Sequence, residues 1–350
     1  MRALALRGIA FAFTALALQS SLAQWWNPQD RTPPARRGTP DEPKVVYDQA
    51  MFNAARNAAN GAMWNDDFKK LERMHEEFVR ERLRTNDGRW MAEAVQAGLD
   101  GAFHAADERL LKTLFERWEK ALPESRLLPV AKAVMWQRLA WRARGNAGAS
   151  QVPGEGMQVF QERLRMAGAA LRESEATGKD SPIWYWVALI VAGGSGVPGS
   201  EFDALFNEAV TRYPTYQPLY NTRMNYLLPQ WGGSYKAVDR FVADSVSRTS
   251  ASEGQSYYAL LYVDVATKHP GDFFGETGVS WPRMKASFDD LLARHPDARN
   301  KELYATFACR ARDRDTTARI LTELGEAAKL GYGSPGVSTE SCRRFALSQA

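Results

Sequence analysis

The sequence predicts an all-α protein built as a curved array of antiparallel helix pairs, an α-solenoid of about 15 helices. Three observations carry this. From Val45 onward, apolar residues recur at helical spacing in segments of roughly 12 to 22 residues, and strand-like alternation is absent. Clusters of Gly, Pro and Ser punctuate those segments at the intervals that paired helices require. In the second half a degenerate unit recurs: Phe206-x-x-Ala209 followed by Pro214 is echoed by Phe288-x-x-Leu291 followed by Pro296, with Phe241-x-x-Asp244 and Leu321-x-x-Leu324 at related places. An aromatic and a small residue three apart share one helical face, and the Pro beyond them stops the helix. The offsets between units lie on either side of the roughly 34-residue period of tetratricopeptide repeats.

Met1–Ala23 reads as a secretory signal. Arg2 and Arg7 precede an apolar run from Gly8 to Leu18, and Ser21 and Ala23 place small residues third and first before Gln24. That run is about 11 residues, where a membrane span needs roughly 20. No stable span is expected after cleavage, and the product is expected to be periplasmic or secreted. Residues 24–44 carry Pro28, Pro33, Pro34, Pro40 and Pro43 with almost no aliphatic side chains, the composition of a disordered tether. Cleavage removes two of the cations behind the formal charge of +4. The remaining Lys and Arg alternate with Asp and Glu, as in DDFKKLERMHEEFVRERLR, and form no basic stripe, so a nucleic-acid partner is excluded.

Residues 45–350 form the predicted helical domain. Its N-terminal half holds amphipathic helices at Val46–Asn60, Asp66–Arg84, Gly88–His104, Asp107–Leu122 and Glu124–Arg144. In the last of these, Leu127, Val130, Val134, Leu139 and Trp141 supply the apolar stripe, and Pro129 falls in the first turn. Glu155–Ala176 follows, then Pro182–Ala192 with Ser181 as its cap and Glu201–Tyr213 with Ser200 as its cap. Tyr216–Leu228 is broken by Pro229, Gln230, Trp231, Gly232 and Gly233. Ser234 then caps Tyr235–Arg248, whose buried face carries Ala237 and Phe241. The two adjacent Gly suit positive φ, and Trp231 is expected to pack between the helices on either side of the turn. Glu253–His269 precedes Lys268–Ser280, an insertion with turn formers and no helical period. Trp281–His295, Ala298–Arg312, Thr316–Lys329 capped by Asp315, and Thr339–Leu347 complete the array.

Two cysteines, Cys309 and Cys342, lie on helices near the end of the chain, and an even pair in an oxidising compartment predicts a disulfide. The four His, at 75, 104, 269 and 295, sit in separate units, and His75-Glu76-Glu77 lacks the second His of a zinc helix, so neither metal nor other cofactor is expected. Gly193-Gly194-Ser195-Gly196 follows a helix rather than a strand and is read as a loop, not a phosphate cradle. Glu124-Ser125 in LPESRLLPV matches the placement of a general-acid Glu in helical enzymes that cut peptidoglycan. Such a Glu needs an apolar cleft to raise its pKa. The aromatic residues between Trp184 and Trp281 are too many for all of them to be wholly internal. Trp184, Tyr185, Tyr216, Tyr220, Trp231, Tyr257 and Tyr258 are the candidate ligand-binding residues, with inter-helix packing as the competing reading.

Several motifs together, Asn86-Asp87-Gly88-Arg89-Trp90, Leu122-Pro123-Glu124-Ser125, Ala140-Trp141-Arg142-Ala143-Arg144-Gly145, Leu227 to Ser234 (LLPQWGGS) and Trp281-Pro282-Arg283-Met284-Lys285, resemble an uncharacterised bacterial family, a domain of unknown function rich in tetratricopeptide-like helices. The resemblance implies an exported or envelope-associated helical protein and carries over no catalytic residues. The expected function is a non-catalytic module or scaffold that binds a protein or peptide partner in the cell envelope. The alternative is a hydrolase or lyase acting on peptidoglycan or another envelope polymer, with Glu124 as general acid.

Overall fold

The computed structural model describes residues 47–104, 106–145, 153–269, 271–332, 334 and 336–347. The predicted signal at 1–23 and tether at 24–44 lie outside them. Fifteen helices of seven or more residues make up the described fold: α1 Gln49–Trp64, α2 Phe68–Arg80, α3 Ala92–His104, α4 Glu108–Ala121, α5 Leu127–Arg144, α6 Gly154–Glu173, α7 Pro182–Gly194, α8 Gly199–Arg212, α9 Gln217–Asn225, α10 Tyr235–Glu253, α11 Ser256–Lys268, α12 Trp281–Arg294, α13 Ala298–Arg310, α14 Arg314–Leu324 and α15 Thr339–Leu347. Extended pairing among the described residues is confined to two isolated bridges, Tyr47 with Thr85 and Arg84 with Trp90. The fold is all-α, and no described helix is long and apolar enough to cross a membrane.

Packing follows an alternating rule. The odd-numbered helices α1, α3, α5, α7, α9 and α11 pack each against the next odd one, while α6, α8 and α10 each fill the gap between the two odd helices flanking them in sequence. This is the neighbour pattern of stacked helix pairs, and it is compatible with the predicted solenoid.

Side-chain caps start most helices: Asp48, Asp67, Asp107, Ser181, Ser234, Ser280, Asp297 and Asp313 each accept from a backbone N–H of the first turn. Two predicted caps are corrected. α8 begins at Gly199, directly after Pro198, which leaves Ser200 inside the first turn. α14 is capped by Asp313 rather than Asp315, because the Asp313 carboxylate also takes the Trp281 indole N–H at 3.1 Å and so joins two helices. The buried stripe of α10 is Val238, Val242, Ser245, Val246 and Thr249, one position on from the predicted Ala237 and Phe241, which are half-buried. The helix also runs past Arg248 to Glu253, whose carboxylate has partners waiting. Within the predicted insertion, Phe273–Glu276 forms a helical turn capped by Asp272, and the buried Phe273 ring packs edge-on against Tyr262 and Phe307.

The segment between α2 and α3 draws distant helices together. Arg84 pairs with Glu253 at the end of α10 at 2.6 Å, and His295 after α12 reaches the same carboxylate at 3.1 Å. Asp87 pairs with Arg89 at 2.7 Å and Arg299 at 3.6 Å, and its backbone carbonyl accepts from Asn300 at 3.1 Å. Gly88 has φ of +92°, and a Cβ there would lie 3.0 Å from the His295 ring, so both its backbone angle and its surroundings require glycine. Trp90, fully enclosed, donates to Thr215 at 3.1 Å and meets Tyr213 and Tyr216 edge-on.

At the far end, Cys309 on α13 and Cys342 on α15 form a disulfide with Cα atoms 5.7 Å apart. It sits beside a small apolar cluster of Leu321, Ala328 and Cys342 against which Leu324, Leu330 and Val337 pack.

Two outcomes follow from these contacts. Burial alone would raise the Glu253 carboxyl, but hydrogen bonds from His295 and Arg84 outweigh it and hold the group at about 2, against an ordinary 4.5. A depressed carboxylate stabilises the fold above its unfolded value, so about 3 kcal/mol should be lost as pH falls from 4.5 toward 2. Glu253→Gln should lose a similar amount at pH 7 and flatten that acid limb; denaturant titrations at stepped pH check both. Cys342→Ser should cost about 3 to 4 kcal/mol, and a non-reducing digest of the wild-type protein should contain one peptide joining Cys309 to Cys342.

Candidate ligand groove

Three odd helices each turn an i, i+4 pair toward one groove of about 460 Å³: Gln137 and Trp141 from α5, Trp186 and Ile190 from α7, and Asn221 and Asn225 from α9. Gln96 of α3 and Lys268 at the end of α11 extend the lining, so every helix contributing to this wall belongs to the odd series. Tyr226 and Trp231, from the turn after α9, close one end.

That end is an aromatic corner. Trp141 meets Trp231 edge-on at 5.6 Å between ring centroids, Tyr226 lies 5.5 Å from Trp231, and the Arg144 guanidinium stands over both Trp141 and Trp231 at 5.3 and 5.2 Å. Trp231 therefore reaches across to α5, which corrects the expectation that it would pack between α9 and α10. Its direction is set by the turn. Gly232 has φ of +82°, in a region that side chains disfavour. Gly233 is glycine for a different reason, since a Cβ would sit 2.0 Å from the Leu227 carbonyl oxygen. Gly193 and Gly194, expected in a loop, are the last residues of α7. A Cβ on Gly193 would lie 2.2 Å from the Tyr226 ring, and the bare backbone lets that ring approach so that its hydroxyl donates to the Ile190 carbonyl at 3.1 Å.

The groove's polar groups are unevenly satisfied. Arg138 is held by Asp100, its Nε donating at 2.7 Å, and the Gln96 side-chain oxygen accepts from Tyr216 at 2.6 Å. Trp141 Nε1 and Asn221 Oδ1, by contrast, are buried without a hydrogen-bond partner among the described residues. One is a donor and the other an acceptor, and each unmet buried group costs about 1 to 3 kcal/mol.

Of the seven predicted binding residues, Trp231 alone lines this groove. The other six are core. Trp184 donates to the Leu171 carbonyl and the Ser174 hydroxyl, Tyr185 to Glu208, and Tyr220 to the Pro214 carbonyl. Tyr216 is spent on Gln96, Tyr258 accepts from the Ser280 N–H, and Tyr257 is packed edge-on against Tyr220. Burial pushes the Tyr216 and Tyr257 phenols well above their ordinary value, so both stay neutral. The groove residues that were missed, Gln137, Trp141, Asn221 and Asn225, carried a signal in their i, i+4 spacing, but it requires knowing which helices are neighbours.

Glu124 is exposed, one turn before α5. The carboxylate that works at this helix start is Glu72 of α2, which accepts from the backbone N–H groups of Arg126 at 2.8 Å and Leu127 at 3.0 Å and from the Ser125 hydroxyl. Burial raises Glu72 against these hydrogen bonds. The motif LPES thus presents a helix N-terminus to a carboxylate from another helix.

A methyl group on Gly193 would have to displace the Tyr226 ring. Gly193→Ala should cost about 1 to 3 kcal/mol, as overpacking does, and should alter the near-ultraviolet circular dichroism of the aromatic corner. An unchanged spectrum and melting temperature would contradict the close approach.

No protein-family model, curated protein or solved structure matches the chain.

Proposed function

We propose that the chain is an exported helical-repeat protein, periplasmic or secreted, whose groove holds an extended peptide segment of a partner protein in the cell envelope. The row of side-chain amides that lines the groove, Gln96, Gln137, Asn221 and Asn225, carries this reading. A peptide bond offers one C=O and one N–H, the complement of a side-chain amide. Trp186 and Trp231 supply flat apolar faces for side chains. The export signal in the sequence, and its likeness to a bacterial family of exported helical proteins, support the envelope location. A hydrolase with Glu124 as general acid is less well supported, because Glu124 is exposed and does not lie in the apolar cleft such an acid needs.

Asn221→Leu separates a binding role from a structural one. Replacing an unpaired buried acceptor by an apolar group of similar size should leave stability unchanged or raise it by about 1 kcal/mol. Peptides selected from a displayed random library against the full chain should bind this variant about tenfold or more weakly. Trp231→Ala should likewise lose binding, with a smaller loss of stability than a fully enclosed Trp would give. Selection that yields no peptide, or peptides that bind Asn221→Leu as well as wild type, would overturn the proposal. Capture of N-acetylated glycan strands in place of peptides would reassign the groove to polymer binding.

A further inference from the structure

The walls of the groove are helices, whose backbone N–H and C=O groups are consumed by their own hydrogen bonds, and no strand among the described residues offers an edge. A peptide entering the groove therefore cannot add itself to a sheet, which is how many extended ligands satisfy their backbone. Each ligand N–H and C=O withdrawn from water must find a side chain or be left unmet, at a cost of about 1 to 3 kcal/mol.

The side chains on offer are rich in donors. Trp186 is half-buried, and among the described residues its indole N–H has no hydrogen-bond partner and its ring meets no other ring. That N–H is not one of the enclosed unpaired atoms, so it is open to an acceptor, and an indole can only donate. Gln137 is 3% exposed, yet both polar atoms of its amide are unpaired without being enclosed, so the part of it that reaches the surface is the amide. Gln96 has given its oxygen to Tyr216 and keeps its N–H groups. The lining charge is already neutralised: Arg138 is paired with Asp100 and Lys268 with Asp264, which favours an uncharged stretch of ligand.

The wall also has a period. α5, α7 and α9 pack side by side, each presenting one i, i+4 pair, and packed helices lie about 8 to 10 Å apart. A ligand crossing them meets a new helix at that interval. A polyproline II chain has three residues per turn and a rise of about 3.1 Å, so it shows the same face roughly every 9 Å; a β-strand does so about every 7 Å. Proline brings a carbonyl and no N–H, which suits a wall of donors, and its ring is a flat apolar partner for Trp186 and Trp231.

We propose that the partner segment held in the groove is proline-rich and uncharged, in the polyproline II conformation, with prolines three residues apart meeting successive odd helices and the carbonyls between them accepting from Trp186 and the side-chain amides. This rests on the peptide-binding reading of the groove and adds the class of peptide to it.

Three acetylated and amidated peptides titrated against the full chain by calorimetry test it: four Pro-Gln-Ala triplets, four Ala-Gln-Ala triplets, and six Pro-Gln pairs. The proline triplets should bind saturably, the alanine triplets about tenfold or more weakly, and the pairs more weakly than the triplets despite their extra prolines. Affinity for the proline triplets should hold between about 50 and 500 mM sodium chloride, as expected of an uncharged ligand. Trp186→Leu should weaken them about tenfold or more, and Trp186→Phe, which keeps a flat ring and loses the N–H, should weaken them less; if neither variant folds, the three peptides on the wild-type chain still decide. Equal binding of the alanine triplets, pairs binding as tightly as triplets, a steep fall with salt, or an unchanged affinity in folded Trp186→Leu would overturn the proposal. A displayed random library that yields binders without proline removes this inference and leaves the peptide reading standing, whereas a library that yields no binder removes both.

Discussion

The fold depends on a buried carboxylate held by partners from far away in sequence. Glu253 closes α10 and is 2% exposed, yet it is ionised, because Arg84 and His295 converge on it from either side. A charge so enclosed is tolerable only while its partners stay in place. Three segments, the turn after α2, the end of α10 and the end of α12, are thereby fixed relative to one another. Asp87 repeats the arrangement a few residues on with Arg89, Arg299 and Asn300. In a simple stacked array each unit touches only its neighbours, and stability is close to a sum of local terms. Here residues 84–90 also contact α10, α13 and the segments that follow α8 and α12, so a perturbation in this one turn reaches parts of the fold that the alternating rule would keep apart.

That coupling explains which parts of the fold were legible in the sequence. Helix period and local capping are short-range properties, and the helices, the caps at Ser181 and Ser234 and the joint at Pro229 to Gly233 were readable from them. The Cys309–Cys342 pair was readable from the even cysteine count. What was not readable were contacts between residues tens to hundreds apart. Asn86-Asp87-Gly88-Arg89-Trp90 stood out as a motif, but nothing local shows that Asp87 and Gly88 meet the region from His295 to Asn300. Glu124 and Ser125 stood out as well, and the working carboxylate proved to be Glu72, 53 residues from the Ser125 whose hydroxyl it accepts. The cap shifts at α8 and α14 are of the same kind, since Asp313 is selected over Asp315 by Trp281 on another helix.

Aromatic residues failed as markers of the groove for a related reason. Tyr is suited to burial when its hydroxyl finds a partner, and Tyr185, Tyr216, Tyr220 and Tyr258 all do, through Glu208, Gln96, Pro214 and Ser280. Composition sees a ring and a hydroxyl; it does not see whether the hydroxyl has been met inside the protein. The better indicator is the polar side chain left unmet. Asn221 on α9 and Trp141 on α5 both line the groove, and each keeps a buried polar atom without a partner among the described residues.

The glycines at Gly193 and Gly233 show how closely this wall is fitted. One admits the Tyr226 ring and the other the Leu227 carbonyl, and together they fix the aromatic corner that Trp141 and Trp231 share. A corner built by such close approaches is rigid before any ligand arrives, which reduces the ordering cost of binding. Two unmet buried polar atoms in the same groove work in the opposite direction, each costing about 1 to 3 kcal/mol in the unliganded protein. A chain retains such groups most readily where distant contacts over-determine the surrounding structure. The ion pairs on Glu253 and Asp87 supply those contacts here without entering the groove, which leaves its wall free to keep polar groups that packing alone would have replaced.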